Sequence, residues 1–553
     1  MKLRLLALIS LFNFGIAIAQ ITNEPPVSNK LFLKKAVPVI EMPSFDLKKL
    51  QDEDAINDRQ IKPYRFGHQF EVDLGIDNSG SWEKLPNGDR IWRVSILSKG
   101  AITLNFIFDH YNLAEGATVH LYDDHKKFVL GAYTSKMNNE NNSLGTWIAD
   151  GEKITIELYE PENVKGKSKL HIGQVVHGYR SVSNYQSYLK SLNQSGPCNL
   201  DINCDVGSDF NGIKEKVKKG VALILNNGSD WCTGTLINNT RNDKAPYLLT
   251  ANHCRGGEAN WTFRFNWIST NTVCASTENS IDNGPSNYFQ TTSGATVLAQ
   301  NDKTDFELVE ITGGLDDAWD LEWVGWDRTG GTPDFTVGIH HPSGDIMKVC
   351  RDNNAPEKTL INFENPQTEM WRIIGGGSSL GWDLGVTERG SSGSALFDPN
   401  GRIIGQLAGG FAACSGTDDN GTEDWYGRFD ISWSFGNSDN TRLSNWLDPV
   451  NTGQLQLNML SEADSNPDPP AEDDEIGIIF PNPSRGGKFT ITNSEENILK
   501  ISVYDIRGKI VSSKEVDIEN PEIDLSTKRS GIYFLYIENI SKGETFKKKI
   551  IIY

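Results

Sequence analysis

The 553-residue sequence lacks any long apolar run beyond its first nineteen residues, which excludes a protein that crosses a membrane several times as helices. It lacks an excess of bases. Lys plus Arg total 53 against 73 Asp plus Glu, for a net charge of −20. A phosphate backbone needs a basic face, so nucleic acid is excluded as a partner, and anionic lipid repels such a chain. No segment after the first shows a convincing 3.6-residue apolar period, and no repeat of fixed period is present. Cysteine is missing before residue 198 and after residue 414. No two cysteines have CxxC spacing, and His340-His341 lack a neighbouring ligand pattern, so neither a metal nor a cofactor is expected.

What is present divides into segments. At roughly 150 residues per unit, the length predicts three or four domains. Lys2 and Arg4, the apolar Leu5 to Ile18 and the small-residue pattern Ala17-Ile18-Ala19 read as a signal peptide over 1–19. Export would place the seven cysteines where disulfides persist. Residues 21 to about 60 are polar and read as an extended leader. From about Gly67 to Arg180 apolar and polar residues alternate, as in residues 90–96, 101–107 and 153–158, with Asn-Gly and Asp-Gly turns between. This is a small sandwich-like β domain. All seven cysteines fall in the next module, 191–460. Residues 461–475 are acidic and proline-rich and read as a linker. The stretch 476–553 returns to β alternation, so the chain is predicted to be mostly β.

Three short segments carry chemistry. Leu248-Leu-Thr-Ala-Asn-His253-Cys254 is an apolar strand ending in a histidine. In Thr304-Asp305-Phe-Glu-Leu-Val-Glu-Ile311 an acid precedes an alternating strand. Glu388-Arg-Gly390-Ser391-Ser392-Gly393-Ser394 is a glycine-serine turn entering a strand. Together they supply what acyl transfer needs. A serine hydroxyl needs a base to take its proton. An imidazole can take and return it. A carboxylate must fix the imidazole tautomer. A Gly-x-Ser turn offers two backbone N–H donors to the tetrahedral oxyanion, here those of Gly390 and Ser392. Chemistry alone does not choose among Ser391, Ser392 and Ser394, nor wholly between Asp302 and Asp305.

Thr250-Ala-Asn-His253-Cys254 and Gly390-Ser-Ser-Gly-Ser394 resemble the histidine and serine segments of the chymotrypsin-type serine proteases. The bacterial lysyl endopeptidase branch is the nearer likeness. The pieces that carry it are Cys198-Asn-Leu-Asp-Ile-Asn-Cys204, Gly325-Trp-Asp-Arg328, His340-His-Pro342, Gly385-Val-Thr-Glu388, Tyr426-Gly-Arg428 and Leu443-Ser-Asn-Trp-Leu-Asp-Pro449. The resemblance implies a chymotrypsin-like double β-barrel over 191–460. It implies a secreted serine endopeptidase with His253 as general base, Asp305 as its orienting partner and Ser392 as nucleophile, acting through an acyl-enzyme. Val386 stands six residues before Ser392, where trypsin carries its acid. The lysyl branch places its acid just before the Tyr-Gly-Arg segment, and Asp424 holds that position. A paired carboxylate in a dry pocket favours a basic side chain, since breaking such a pair costs about 3–5 kcal/mol. Ala408 stands where the branch can carry a histidine stacked on an aromatic, and Trp371 is a loose counterpart for that aromatic. Lysine is the preferred residue on this reading, with an Arg- or Glu-specific protease, or an inactive protease-like adhesion protein, as alternatives.

The same resemblance pairs Cys198 with Cys414, Cys204 with Cys274 and Cys232 with Cys254, and leaves Cys350 over. The last of these loops is worth about 3 kcal/mol by chain entropy. Residues 20–190 resemble the propeptide of such enzymes, and Lys190 is a candidate site for its release. Phe480-Pro-Asn-Pro-Ser484, Val503-Tyr-Asp-Ile-Arg-Gly508 and Ser530-Gly-Ile-Tyr-Phe534 resemble a type IX secretion sorting domain, a β-sandwich over 476–553. The partners implied are peptide substrates and that secretion machinery. The protein is expected as a monomer, secreted or at the cell surface.

Overall fold

The computed structural model describes residues 25–180, 195–461 and 479–552, apart from residues 32, 61, 279, 282–289, 362–367, 375–380, 481–483, 485, 492–498, 506–508, 517–521 and 540–543. The signal segment, Lys190 and nearly all of the acidic linker lie outside the described residues. The protein is mostly β. The described residues up to 461 form one compact unit and those from 479 on a second.

The first unit opens with two facing sheets. One runs Val39–Glu41, Arg90–Leu97, Lys153–Glu160, Thr118–Tyr122, Val129–Thr134 in spatial order, and the other Ala149–Asp150, Thr103–Asn112, Lys169–Gly178, Gly67–Gly75. Their inward positions, among them Trp92, Phe106, Phe108, Leu121, Ile156 and Val175, fill one core. The leader read as extended is partly ordered instead. Val39–Glu41 adds a parallel edge strand, and Leu47–Asn57 is an α-helix whose cap Asp46 accepts from the Lys49 amide. Its apolar period is weak, so no helix was expected. Tertiary ties hold it: Asp54 is buried and accepts from Arg65 Nε at 2.8 Å, Tyr179 Oη at 2.7 Å and Arg180 Nε at 2.9 Å.

Residues 195–461 build two further sheets. The first runs Thr291–Ser293, Thr262–Phe265, Val221–Asn226, Asp230–Leu236, Tyr247–Ala251, Phe306–Ile311, Ala295–Asn301. The second contains Lys348–Asp352, Thr336–His340, Ala395–Phe397, Ile403–Gly410, Asp424–Arg428 and Thr368–Arg372, also in spatial order. This is the chymotrypsin-like arrangement of two β layers, with the serine turn entering Ala395–Phe397 and His253 following Tyr247–Ala251.

The N-terminal sandwich is packed into this pair. Tyr64–Arg65 adds an antiparallel strand to the edge of Asp230–Leu236. Phe66 stacks on Trp231 at 4.6 Å, and the buried Arg264 guanidinium lies over both Trp147 and Trp267. Leu223, Leu225, Trp231, Trp267 and Ile346 belong to the same apolar cluster as Phe66, Trp147 and Val175.

The second unit has two small sheets of its own. One joins Ile479–Phe480, Lys488–Ile491 and Glu522–Asp524, and the other Ile510–Val516, Leu499–Asp505, Gly531–Asn539 and Glu544–Ile552. Phe489, Ile501, Val503, Leu535 and Ile537 fill its core, each separated from the next in its strand by one outward residue, as the alternation requires.

Candidate active site

The imidazole is placed first. Tyr247–Ala251 runs antiparallel to Phe306–Ile311, and Ala251 lies opposite Phe306. That register sets His253 beside Asp305, which occupies the left-handed region at φ +55°. The Asp305 carboxylate then makes two bonds. Oδ1 accepts from the His253 amide at 2.9 Å and Oδ2 pairs with His253 Nδ1 at 2.7 Å. Both rings of contact fix one imidazole orientation and leave Nε2 as the working nitrogen. Asp302 takes no part in this; its carboxylate meets Lys303.

The disulfide Cys232–Cys254 ties the histidine to Asp230–Leu236, and the serine turn docks on the same strand. The Ser392 carbonyl accepts from the Thr233 amide at 2.8 Å, and the Gly390 carbonyl from Thr233 Oγ1 at 3.0 Å. Two glycines permit this approach. Gly390 has φ +91° and Gly393 +83°. A Cβ on Gly390 would stand 2.8 Å from the Ser343 amide, and one on Gly393 2.1 Å from Thr250 Oγ1.

The three serines of the turn differ in surroundings. Ser391 accepts from the Glu388 amide and its Oγ lies 2.7 Å from Nδ1 of the fully buried His340, whose pKa burial pushes down to about 3. The Ser391 hydroxyl shares a hydrogen bond with that neutral imidazole, which ties the side chain up. Ser394 is fully buried. Ser392 lines the cleft. Among the described residues the Gly390 and Ser392 amides donate to no other group, so both are free to bind an oxyanion. No hydrogen bond joins Ser392 to His253 Nε2, which has no partner among the described residues. Such bonds are often formed only with substrate in place.

Asp424 lines the same cleft, which has a volume of about 500 Å³. Its residue is 1% exposed. Burial raises its pKa to about 6, opposed by hydrogen bonds from Thr387 and Trp382. Thr387 Oγ1 donates to Oδ2 at 2.6 Å and Trp382 Nε1 to the same oxygen at 2.7 Å. Oδ1 faces Gly410, where a Cβ would collide with it. Trp371, the loose counterpart named from the sequence, instead gives its Nε1 proton to the Ile404 carbonyl inside the second sheet. The partners of Asp424 were missed because Trp382 lies 42 positions away in sequence and belongs to no motif.

The mouth of the cleft also holds residues that sequence reading did not bring here. Asp58, Arg59 and Tyr64 line it together with Ser392 and Asp424. Arg389, next to the serine turn, donates to the Gln60 carbonyl. Elsewhere in the module the cysteines pair as Cys198–Cys414, Cys204–Cys274 and Cys232–Cys254, and Cys350 is a buried free thiol. Glu307, two residues past Asp305, is fully buried, and burial with the neighbouring Glu258 pushes its pKa up to about 9. It is a neutral acid at neutral pH.

A glycine-serine turn and an imidazole–carboxylate pair, both tied to the strand Asp230–Leu236, are the parts of which serine proteases are built. The sequence matches agree. Residues 192–427 match the family described as lysyl endopeptidase, C-terminal domain, and residues 478–553 match the secretion system C-terminal sorting domain. A lysyl endopeptidase of Pseudomonas aeruginosa is 26% identical over 353 residues, which span 62% of this chain and 71% of that protein. Solved structures give weak overall scores. The serine endoprotease from Yersinia pestis has TM-score 0.27 and 12% identity over 63% of this chain and 98% of that one. The protease domain of MamO from Magnetospirillum magneticum has TM-score 0.25 and 11% identity over 39% and 95%. The chain is a protease, similar over residues 192–427 to the lysyl endopeptidase C-terminal domain, with a C-terminal sorting domain that indicates secretion or cell-surface export.

Proposed function

We propose that this protein is a secreted serine endopeptidase that cleaves on the carboxyl side of lysine. Ser392 Oγ attacks the scissile carbonyl while His253 Nε2 takes its proton, and Asp305 stabilises the imidazolium. The amides of Gly390 and Ser392 receive the oxyanion. His253 returns the proton to the leaving amine, and water then releases the acyl group from Ser392 by the same path. The observation that carries the lysine assignment is the buried carboxylate of Asp424 in the cleft that Ser392 also lines. Its Oδ2 already accepts two hydrogen bonds. The Ala412 amide also bonds the carboxylate, so little of it is left open, which suits the compact ammonium of lysine better than the two-pronged grip of arginine. A glutamyl side chain would meet like charge.

The reading extends to the rest of the chain. Residues 1–19 act as the export signal, 20–190 as a propeptide, 191–460 as the protease, 461–475 as a tether and 476–553 as the segment read by a type IX secretion system. The chain is a zymogen, with the cleft lined in part by the propeptide residues Asp58, Arg59 and Tyr64, and Lys190 is a bond the enzyme itself can cut. Mass spectrometry of peptides released from a denatured protein by the processed enzyme tests the reading. Lysine at nearly every new carboxyl terminus is the expected result. Cleavage after residues of no common type, or none at all, would overturn it.

A further inference from the structure

The outer face of the N-terminal sandwich carries a cluster unrelated to the protease cleft. Strand Thr103–Asn112 pairs with Lys169–Gly178, and the register slips there: His110 lies opposite His171, but Phe108 lies opposite Ile172. Asp109 is the extra residue of a bulge. A bulge turns two successive side chains to one face, and Asp109 and His110 are indeed both exposed between buried neighbours. A second slip falls between Ile172 and Gln174 against strand Gly67–Gly75. Glycines clear the space. A Cβ on Gly173 would stand 2.7 Å from the Asp109 carboxyl carbon, and one on Gly75 2.9 Å from the His171 ring.

The result is a convergence of donors from three strands. His171 Nδ1 lies 2.5 Å from Asp109 Oδ1, and His110 Nδ1 lies 3.6 Å from the same oxygen. One ligand atom from each of Asp109, His110 and His171 falls within 4.8 Å of the other two. The other nitrogen of His171, Nε2, lies 2.8 Å from Asp73 Oδ1. That second contact is the independent feature. A carboxylate holding the far N–H of an imidazole fixes the tautomer whose other nitrogen offers a lone pair to a metal.

We propose that Asp109, His110 and His171 bind one divalent first-row transition-metal ion, of which zinc is the representative, with Asp73 orienting His171. The ion replaces the proton shared between His171 Nδ1 and Asp109, which leaves to solvent, and water completes the coordination. Two imidazoles and one carboxylate select such an ion over calcium or magnesium, which take oxygen ligands. Lys167 and Lys169 line the same recess as Asp109 and His110. No motif marks these ligands, because they come from strands far apart in the chain.

The test uses the full chain carrying Ser392→Ala, stripped with a chelator and titrated with zinc chloride by calorimetry. A second protein adds His110→Ala and His171→Ala, exposed or half-exposed positions, with near-ultraviolet circular dichroism confirming an unchanged fold. The first protein should bind one more zinc ion than the second. Asp73→Asn should keep that stoichiometry and weaken the affinity about 10- to 100-fold. Equal stoichiometry in the two proteins overturns the site. Calcium binding as tightly as zinc overturns the choice of ion, and an unchanged affinity in Asp73→Asn overturns the orienting role.

Discussion

The floor of the cleft and its mouth are made by different parts of the chain. The floor comes from the catalytic module: Asp424 with Thr387 and Trp382 beneath, Ser392 beside it. The mouth is shared with residues more than three hundred positions earlier, Asp58, Arg59 and Tyr64. The acid of the floor is buried, and its Oδ2 accepts two hydrogen bonds. The mouth is held by a clamp, in which Asp54 gathers Arg65, Tyr179 and Arg180 while Arg180 also meets Asp58 at 2.7 Å. On the proposed reading, chemistry and selectivity reside in one module, and access to them in another. The two can be altered separately.

Breaking the floor should have the larger effect. Asp424→Asn removes the charge that receives lysine, and its loss should lower kcat/KM for a lysyl amide about 100-fold or more, while a substrate with an apolar residue at the same place changes little. Loosening the mouth comes next. Asp54→Asn leaves two arginines short of a buried partner. If about 2 of the 3–5 kcal/mol of such a pair reaches the cleft, activity of the unprocessed chain on a small lysyl amide should rise about 30-fold. The same variant in the processed enzyme should behave as wild type. The smallest effect sharpens the floor alone. Burial raises Asp424 to about 6. Above that pH the acid is charged and pairs with ammonium; below it the acid is neutral and does not. Between pH 8 and pH 5 the ratio of kcat/KM for a lysyl over an apolar substrate should therefore fall about tenfold. A ratio independent of pH would separate Asp424 from the recognition of lysine.

The sequence made the catalytic module legible because its chemistry is local. His253, Asp305 and the serine turn each sit at a strand end with glycine or apolar residues that mark the position. The β alternation of 90–96 or 499–504 likewise reads directly as one buried face. The helix Leu47–Asn57 was not legible, since it is stabilised by Asp54 and its partners from Arg65 and Tyr179-Arg180 rather than by an apolar stripe of its own. The bonds of Trp382 and Thr387 to Asp424 were hidden for a related reason: hydrogen bonds across 42 and 37 positions leave no periodic trace. The union of the N-terminal sandwich with the first catalytic sheet was equally silent. Its anchors, Phe66 on Trp231 and Arg264 between Trp147 and Trp267, are ordinary core residues when read in either segment alone.

Covalent labelling tests the shared proton path of Ser392, His253 and Asp305 most directly. The processed enzyme is treated with a phosphonylating reagent and digested, and the modified peptide is sequenced by mass spectrometry. One adduct on Ser392, lost when His253 is replaced by alanine, is the predicted result. An adduct on Ser391 or Ser394, or labelling of Ser392 that persists without the imidazole, would contradict the account.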